Sequence, residues 1–94
     1  KFVKAFKLIS GDPNVRVILI NIFAGINRCD WVAQGIVDAL NQINIEQPLV
    51  IRLAGTNVDQ GIKILKDSKI EYTEAFSLED AANKAVEALK NLGN

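Results

Sequence analysis

The sequence predicts an α/β fold in which helices cover both faces of a small parallel sheet. Helical and strand-like segments alternate along the chain in the order αβαβαβα. Two of the strand-like segments are almost continuously apolar, which is typical of parallel strands buried on both faces. Residues that commonly cap helices mark the start of three helical segments. We expect one domain over residues 1–94.

The first half of the chain is predicted to form a helix, a strand and a second helix. Apolar side chains at helical spacing favour a helix over residues 1–9, which the SGDP turn ends. The apolar run VRVILINIF predicts a strand over residues 15–23. A helix over residues 28–43 follows, with Asn27 or Asp30 as its cap. Its predicted apolar face consists of Val32, Ile36, Leu40 and Ile43.

The second half repeats this alternation. The apolar run PLVIRLA predicts a strand over residues 48–54, and a shorter strand is predicted over residues 70–73. Helices are predicted over residues 57–68 and 78–92. The expected capping pairs are Thr56 with Asp59 for the first of these helices and Ser77 with Asp80 for the second.

The start of the chain indicates a larger fold. Lys1 is not a methionine and no capping residue precedes the first helix, so we expect an N-terminally truncated part with upstream strands missing. The strand over residues 15–23 is too apolar for a bare sheet edge, so its neighbour is expected upstream. Gly93 is placed as a C-cap glycine at the close of the last helix.

Composition argues against several classes of function. The 11 basic and 11 acidic side chains give a formal net charge of zero, which disfavours nucleic acid or an anionic membrane as partner. No apolar run approaches the ~18 residues of a membrane span, and no leader precedes the first helix. A single cysteine cannot form an internal disulfide, so a reducing compartment is expected.

Two loops are candidates for a binding site. Residues 24–29 and 55–57 each follow a predicted strand, and ligands of parallel sheets bind beyond the carboxyl ends of the strands. Backbone N–H groups and the helix dipole at the start of the helix over residues 28–43 attract an anion. The first loop lacks the spacing of a dinucleotide site or a P-loop, and backbone geometry alone also accounts for its lone Gly25.

Side chains after the first strand have both functional and structural interpretations. Arg28 either adds charge at an anion site or holds an interface. Cys29 has the setting of a lowered-pKa thiol, but the absence of histidine and of a second cysteine favours a small packed residue. Asp30 is expected to cap the helix with its side chain turned away from any bound anion. Trp31 is expected in the core or at an interface.

Later residues are also ambiguous. Arg52, alone in an apolar strand, is expected to reach the sheet edge or an ion-pair partner. Gly35 and Gly61 lie within helices and indicate tight packing against the sheet. Asn57 faces the site or acts only as a cap.

The runs NIFAGINRCDWVAQGIV and PLVIRLAGTNVDQGIKIL resemble the C-terminal domain of the β subunits of the succinyl-CoA synthetase family, and the resemblance covers essentially all 94 residues. It implies a flavodoxin-like three-layer domain. With Ala24, Asn27 and Trp31, the chain also resembles the large subunit of malate-CoA ligase, a close relative. Many family members have a second glycine where Ala24 stands.

The resemblance implies part of an ATP-grasp acid–CoA ligase of the tricarboxylic acid cycle that works through a phosphohistidine. The phosphohistidine and CoA site are then expected on an α subunit, in a heterodimer or heterotetramer. ATP or GTP and Mg²⁺ are expected on the N-terminal part of β, so this segment binds no cofactor or metal and is inactive alone. The expected location is the cytoplasm of a bacterium or archaeon, or the mitochondrial matrix of a eukaryote.

By the same resemblance, Gly25, Ile26 and Asn27 hold the dicarboxylate and phosphate. The helix that starts at Arg28, Cys29 and Asp30 then points at the phosphohistidine against a matching helix of the α subunit. A possible second loop consists of Gly55, Thr56 and Asn57.

Two other classes remain open at this level. A signalling receiver shares the fold but needs acidic residues and a lysine at strand ends, where this chain has Phe23 and Ala54. The second class is a structural domain that docks subunits and binds no ligand, and it comes close to describing the isolated segment. Amide shifts of residues 25–29 on phosphate or succinate titration distinguish docking from ligand binding.

Overall fold

The computed structural model describes residues 2–25 and 28–92. Within them the chain forms four helices and three strands in strict alternation. The elements are α1 (Phe2–Ser10), β1 (Ile18–Ala24), α2 (Cys29–Gln42), β2 (Leu49–Gly55), α3 (Val58–Asp67), β3 (Thr73–Ala75) and α4 (Leu78–Leu92). The predicted α/β class and order are confirmed, whereas Lys1 and Gly93 lie outside the described residues. None of the described helices is long and apolar enough to cross a membrane.

The strands form one parallel sheet in the order β1-β2-β3. β1 and β2 pair along their whole length, from Ile18 opposite Leu49 to Ala24 opposite Gly55. Because both strands end in register, the loops that follow them begin side by side at the carboxyl-terminal end of the strands, which we call the carboxyl edge.

Helices cover the two faces unequally. The main core contains buried residues of α1, α2 and α3 with one face of the sheet, including Phe6, Ile36 and Ile51. A smaller core joins Val50 and Ala75 to Ala81 of α4 on the other face. We call the face beneath α4 the α4 face.

Two strand boundaries differ from the prediction. β1 begins at Ile18, whose amide donates to the Pro48 carbonyl at 3.0 Å, and residues 15–17 lead into it. β3 lies at Thr73–Ala75 instead of residues 70–73, and its pairing starts with Thr73 opposite Val50. Ile70 and Tyr72 pack against the main core from the connecting segment, so the apolar pattern reports their burial and not strand pairing.

Within the described residues, β1 pairs with β2 only and lies at an edge of the sheet. Leu19 and Phe23 of β1, both on the α4 face, are 40% and 74% exposed. The expectation of an upstream neighbouring strand stays a prediction.

The predicted cap of the last helix is confirmed. The Ser77 hydroxyl accepts a hydrogen bond from the Asp80 amide at 3.0 Å, and the Asp80 carboxylate accepts one from the Phe76 amide at 2.9 Å. The predicted cap of α3 is wrong, since the residue before this helix is Asn57, which makes no side-chain capping bond.

Candidate functional site

Three hydrogen bonds join the loops that follow β1 and β2. The Thr56 amide donates to the Ala24 carbonyl at 3.0 Å, and the Thr56 hydroxyl donates to the Gly25 carbonyl at 3.0 Å. The Cys29 amide donates to the Thr56 carbonyl at 2.8 Å. Thr56, which was predicted to cap a helix, therefore bridges the two loops. Both loops lie at the carboxyl edge of the sheet, as expected.

Gly55 permits the close approach of the two strand ends. Its φ of +117° lies in a region that side chains rarely adopt, and an added Cβ would lie 2.3 Å from the Ala24 carbonyl oxygen. Asn57 is in the left-handed region, with φ 59°. The positive φ angles of Gly55 and Asn57 therefore set the shape of the second loop.

Cys29 is fully buried at the start of α2. Its thiol lies 3.3 Å from the Ala54 carbonyl oxygen, to which it can donate. The interpretation of Cys29 as a small packed residue is confirmed. Because its amide is bonded to Thr56, that N–H group is not available to an anion at the edge of the sheet.

Gly61 and Gly35 allow helices to pack closely. A Cβ on Gly61 would lie 3.0 Å from the Cys29 carbonyl oxygen, so α3 presses against the first turn of α2. A Cβ on Gly35 would lie 3.0 Å from the Phe2 ring of α1. The close packing predicted for both glycines is present, but the contacts are with helices and not with the sheet.

Arg28 and Asp30 form a bidentate ion pair. Nε of Arg28 lies 3.1 Å from Oδ1 of Asp30, and Nη2 lies 2.8 Å from Oδ2. Arg28 occupies the N-cap position without a side-chain capping bond, so Asp30 serves the ion pair and not the predicted cap. The other predicted cap, Asn27, lies outside the described residues.

The pKa of Asp30 is lowered by its partners. Partial desolvation opposes ionisation, but the hydrogen bonds and charge of Arg28 outweigh it, so the pKa of Asp30 lies below its ordinary value. With its amide oxygen turned toward Arg28, Asn57 accepts from Nε and Nη2 at 2.5 and 3.1 Å. Asn57 therefore faces the first loop.

Trp31 is 63% exposed, so its predicted place in the core is wrong, and the alternative, an interface residue, stays a prediction. Cζ of Arg28 lies 5.1 Å from the centre of its ring, a cation–π distance. Tryptophan and arginine are both enriched at protein interfaces.

Sequence reasoning missed one polar contact in the sheet. Nη1 of Arg52 donates to Oδ1 of Asn21 at 3.2 Å across the β1–β2 pair. Arg52 thus reaches the edge strand, one of its two predicted positions. Two polar residues in neighbouring apolar strands were the available signal, but pairing them requires the strand register.

The structure brings Gly25, Arg28, Cys29, Asp30, Gly55, Thr56 and Asn57 together. Ile26 and Asn27, the other predicted binding residues, lie outside the described residues. In the part of the chain that the structure describes, no group of three or more His, Cys, Asp or Glu side chains is arranged to hold a metal ion.

Comparison with known proteins gives a consistent result. The family model described as CoA-ligase matches residues 1–86. The chain is 56% identical over 90 residues to the β subunit of ADP-forming succinate–CoA ligase from Pelagibacter ubique, which covers 96% of the chain. It is 51% identical over 92 residues to the same subunit of Nitrobacter winogradskyi, with 98% of the chain covered. The chain spans 23% of the length of each relative.

Proposed function

Because this chain belongs to the CoA-ligase family, we propose that it forms part of an acid–CoA ligase and supplies the carboxyl-edge loops of the β subunit. The proposed reaction converts a dicarboxylic acid, CoA and a nucleoside triphosphate into acyl-CoA, a nucleoside diphosphate and phosphate through a phosphohistidine. The names of the relatives favour succinate as the acid.

The observation that carries this proposal is the bridge between the loops. Hydrogen bonds from Thr56 to Ala24 and from Cys29 to Thr56 fix the start of α2 against the end of the sheet. A fixed start of α2 holds the helix dipole in place before an anion arrives, which lowers the cost of binding the anion.

Electrostatics further support an anion at this edge. The N-terminus of a helix carries about half a positive charge and stabilises an anion by about 0.3–1 kcal/mol, or about 2 kcal/mol when partly buried. The Cys29 amide is occupied, but the Arg28 amide donates to no backbone carbonyl of the described residues. We assign the anion contact to backbone donors of residues 25–28.

Charged side chains have a different role in this proposal. The Arg28 guanidinium is neutralised by Asp30 and lies over Trp31, so it acts at the surface of the docked α subunit and not on the phosphoryl group. We assign the nucleotide, Mg²⁺ and CoA to the rest of the ligase, since this chain spans only 23% of the length of the β subunits that it matches.

The test uses a complete ligase whose β subunit contains this chain. Gly25→Val adds a branched side chain at the exposed loop. It should slow phosphoryl transfer to the α-subunit histidine and discharge by succinate with CoA, followed with γ-³²P-labelled nucleotide, and leave nucleotide affinity unchanged. Glu87→Val, at an exposed position of α4, is the control. Normal turnover of Gly25→Val would contradict the site.

A domain that only docks the α subunit predicts a different result. In that case the amide shifts of residues 25–29 do not respond to phosphate or succinate even with the α subunit bound. Our proposal expects a saturable response. Formation of acyl-CoA by the 94-residue chain with the α subunit and nucleotide would overturn the assignment of the nucleotide site to the rest of the ligase.

A further inference from the structure

Two carbonyl oxygens at the end of β1 accept hydrogen bonds from Thr56. The Thr56 amide donates to the Ala24 carbonyl and the Thr56 hydroxyl donates to the Gly25 carbonyl, each at 3.0 Å. A carbonyl oxygen is the negative end of the peptide dipole, so it repels an anion that it faces. The direction of these carbonyl groups therefore affects any anion bound at the carboxyl edge.

The two hydrogen bonds depend on different groups of Thr56. The bond to Ala24, the buried last residue of β1, comes from the backbone and does not require a threonine. The bond to Gly25, which is exposed, comes from the side chain. The hydroxyl is therefore the part of Thr56 on which the Gly25 contact depends.

Packing around Gly25 does little to fix its carbonyl group. Even a Cβ added to this residue would have its nearest neighbour, an atom of the Phe23 ring, at 3.9 Å. Glycine also allows a wider range of backbone rotation than any other residue. Without the Thr56 hydroxyl, the Gly25 carbonyl is free to turn away from the second loop.

We propose that Thr56 is a positioning residue for the dicarboxylate, because its hydroxyl holds the Gly25 carbonyl against the second loop and keeps the carbonyl oxygen away from the bound anion. Thr56 does not contact the anion in this assignment and acts through Gly25. The inference rests on the anion site proposed above, and it adds a side-chain group to the backbone bonds on which that site depends.

A purely structural role for the hydroxyl leads to different expectations. The Thr56–Gly25 bond joins two exposed residues, so water can replace either partner and the net contribution of the bond to stability is small. If the bond only links the loops, its removal lowers stability slightly and has no selective effect on the dicarboxylate. Our proposal expects a selective loss of dicarboxylate affinity.

The experiment uses the complete ligase whose β subunit contains this chain. Thr56→Val keeps the shape of the side chain and both backbone bonds but removes the hydroxyl. The succinate concentration for half-maximal discharge of the phosphorylated α subunit with CoA should rise about 5- to 10-fold, the effect of one hydrogen bond. Nucleotide affinity should be unchanged, and the folded-to-unfolded ratio should fall by less than about tenfold.

Two further variants identify the hydroxyl as the acting group. Thr56→Ser keeps the hydroxyl and should bring the succinate requirement to within about twofold of the unmodified ligase. Thr73→Val makes the same substitution as Thr56→Val at an exposed position of β3 and should change nothing. A normal succinate requirement in Thr56→Val, equal impairment in Thr56→Ser, or an equal loss of nucleotide affinity would overturn the proposal.

Comparison with Gly25→Val separates this inference from the proposed function. Impaired turnover of Gly25→Val with a normal Thr56→Val would leave the site in place and overturn the role of Thr56, whereas normal turnover of both would overturn both. Thr56→Ala provides a second variant without the hydroxyl and should match Thr56→Val. Failure of both Thr56 variants to fold would overturn the proposal, since it gives the hydroxyl only a small part in stability.

Discussion

The amide of Cys29 donates a hydrogen bond to the carbonyl of Thr56 at 2.8 Å, and this bond ties the first residue of α2 to the loop that follows β2. The same threonine donates to Ala24 and Gly25 at the end of β1. A change in either loop is therefore transmitted to the other, which makes glycines around this bridge sensitive positions.

Gly55→Ala should be severely destabilising. The methyl group would meet the Ala24 carbonyl at 2.3 Å, and φ of +117° is strained for any side chain, so we expect a loss of at least about 2 kcal/mol in urea unfolding. Gly25→Ala is the matched control. The nearest atom to its methyl group, on the Phe23 ring, lies at 3.9 Å, and the loss should be below about 1 kcal/mol. Equal losses would show that Gly55 is not required at the bridge.

The two helical glycines should respond in opposite directions. Gly61→Ala places a methyl group 3.0 Å from the Cys29 carbonyl, a backbone atom that cannot move freely, and should cost about 1–3 kcal/mol. Gly35→Ala meets only the Phe2 ring, so the better helix propensity of alanine should leave stability unchanged or raise it by up to about 1 kcal/mol. Thermal unfolding measures both, and a stabilised Gly61→Ala would contradict the close approach.

Protonation of Asp30 should make the protein less stable in acid. Its pKa is lowered in the folded chain, so the unfolded chain binds the proton more readily and stability falls as pH drops from the ordinary value of 3.8 through the folded pKa. Asp30→Asn should flatten this part of the profile in urea titrations between neutral pH and pH ~2. Asp59→Asn controls for the loss of one negative charge on an exposed helix. An unchanged profile for Asp30→Asn would show that the Arg28 pair is not formed in solution.

The Cys29 thiol should be protected from modification. Because its side chain is fully buried, Ellman's reagent should react with it only as fast as the chain opens, and urea should accelerate the reaction. A Cys29→Ala, Gln60→Cys variant places the thiol at an exposed position of α3 and should react at once. Rapid reaction of native Cys29 would contradict its packed role.

Much of the fold was predictable because buried segments have recognisable patterns of apolar residues in the sequence. The runs VRVILINIF and PLVIRLA predicted the two long strands, and Ser77 with Asp80 predicted the start of α4. β3 was misplaced because Ile70 and Tyr72 pack, partly buried, against the main core without joining the sheet.

The details of the site depended on contacts that a sequence pattern does not record. Thr56 has the spacing of a helix cap, yet its hydrogen bonds go to β1. Arg28 and Asp30 are separated by one residue, and only the fold of the loop turns their side chains together. The Arg52–Asn21 pair depends on strand register, which neither strand specifies alone.

The difference in size between the cores on the two faces of the sheet also affects which part of the molecule unfolds locally. In α4, only Ala81 is buried, whereas α2 buries six of its residues. Amide protons of α4 should therefore exchange with deuterium through a partial opening that leaves α2 and the sheet intact. The last helix is then a separable cooperative unit, and the carboxyl-edge loops can keep their shape while it detaches.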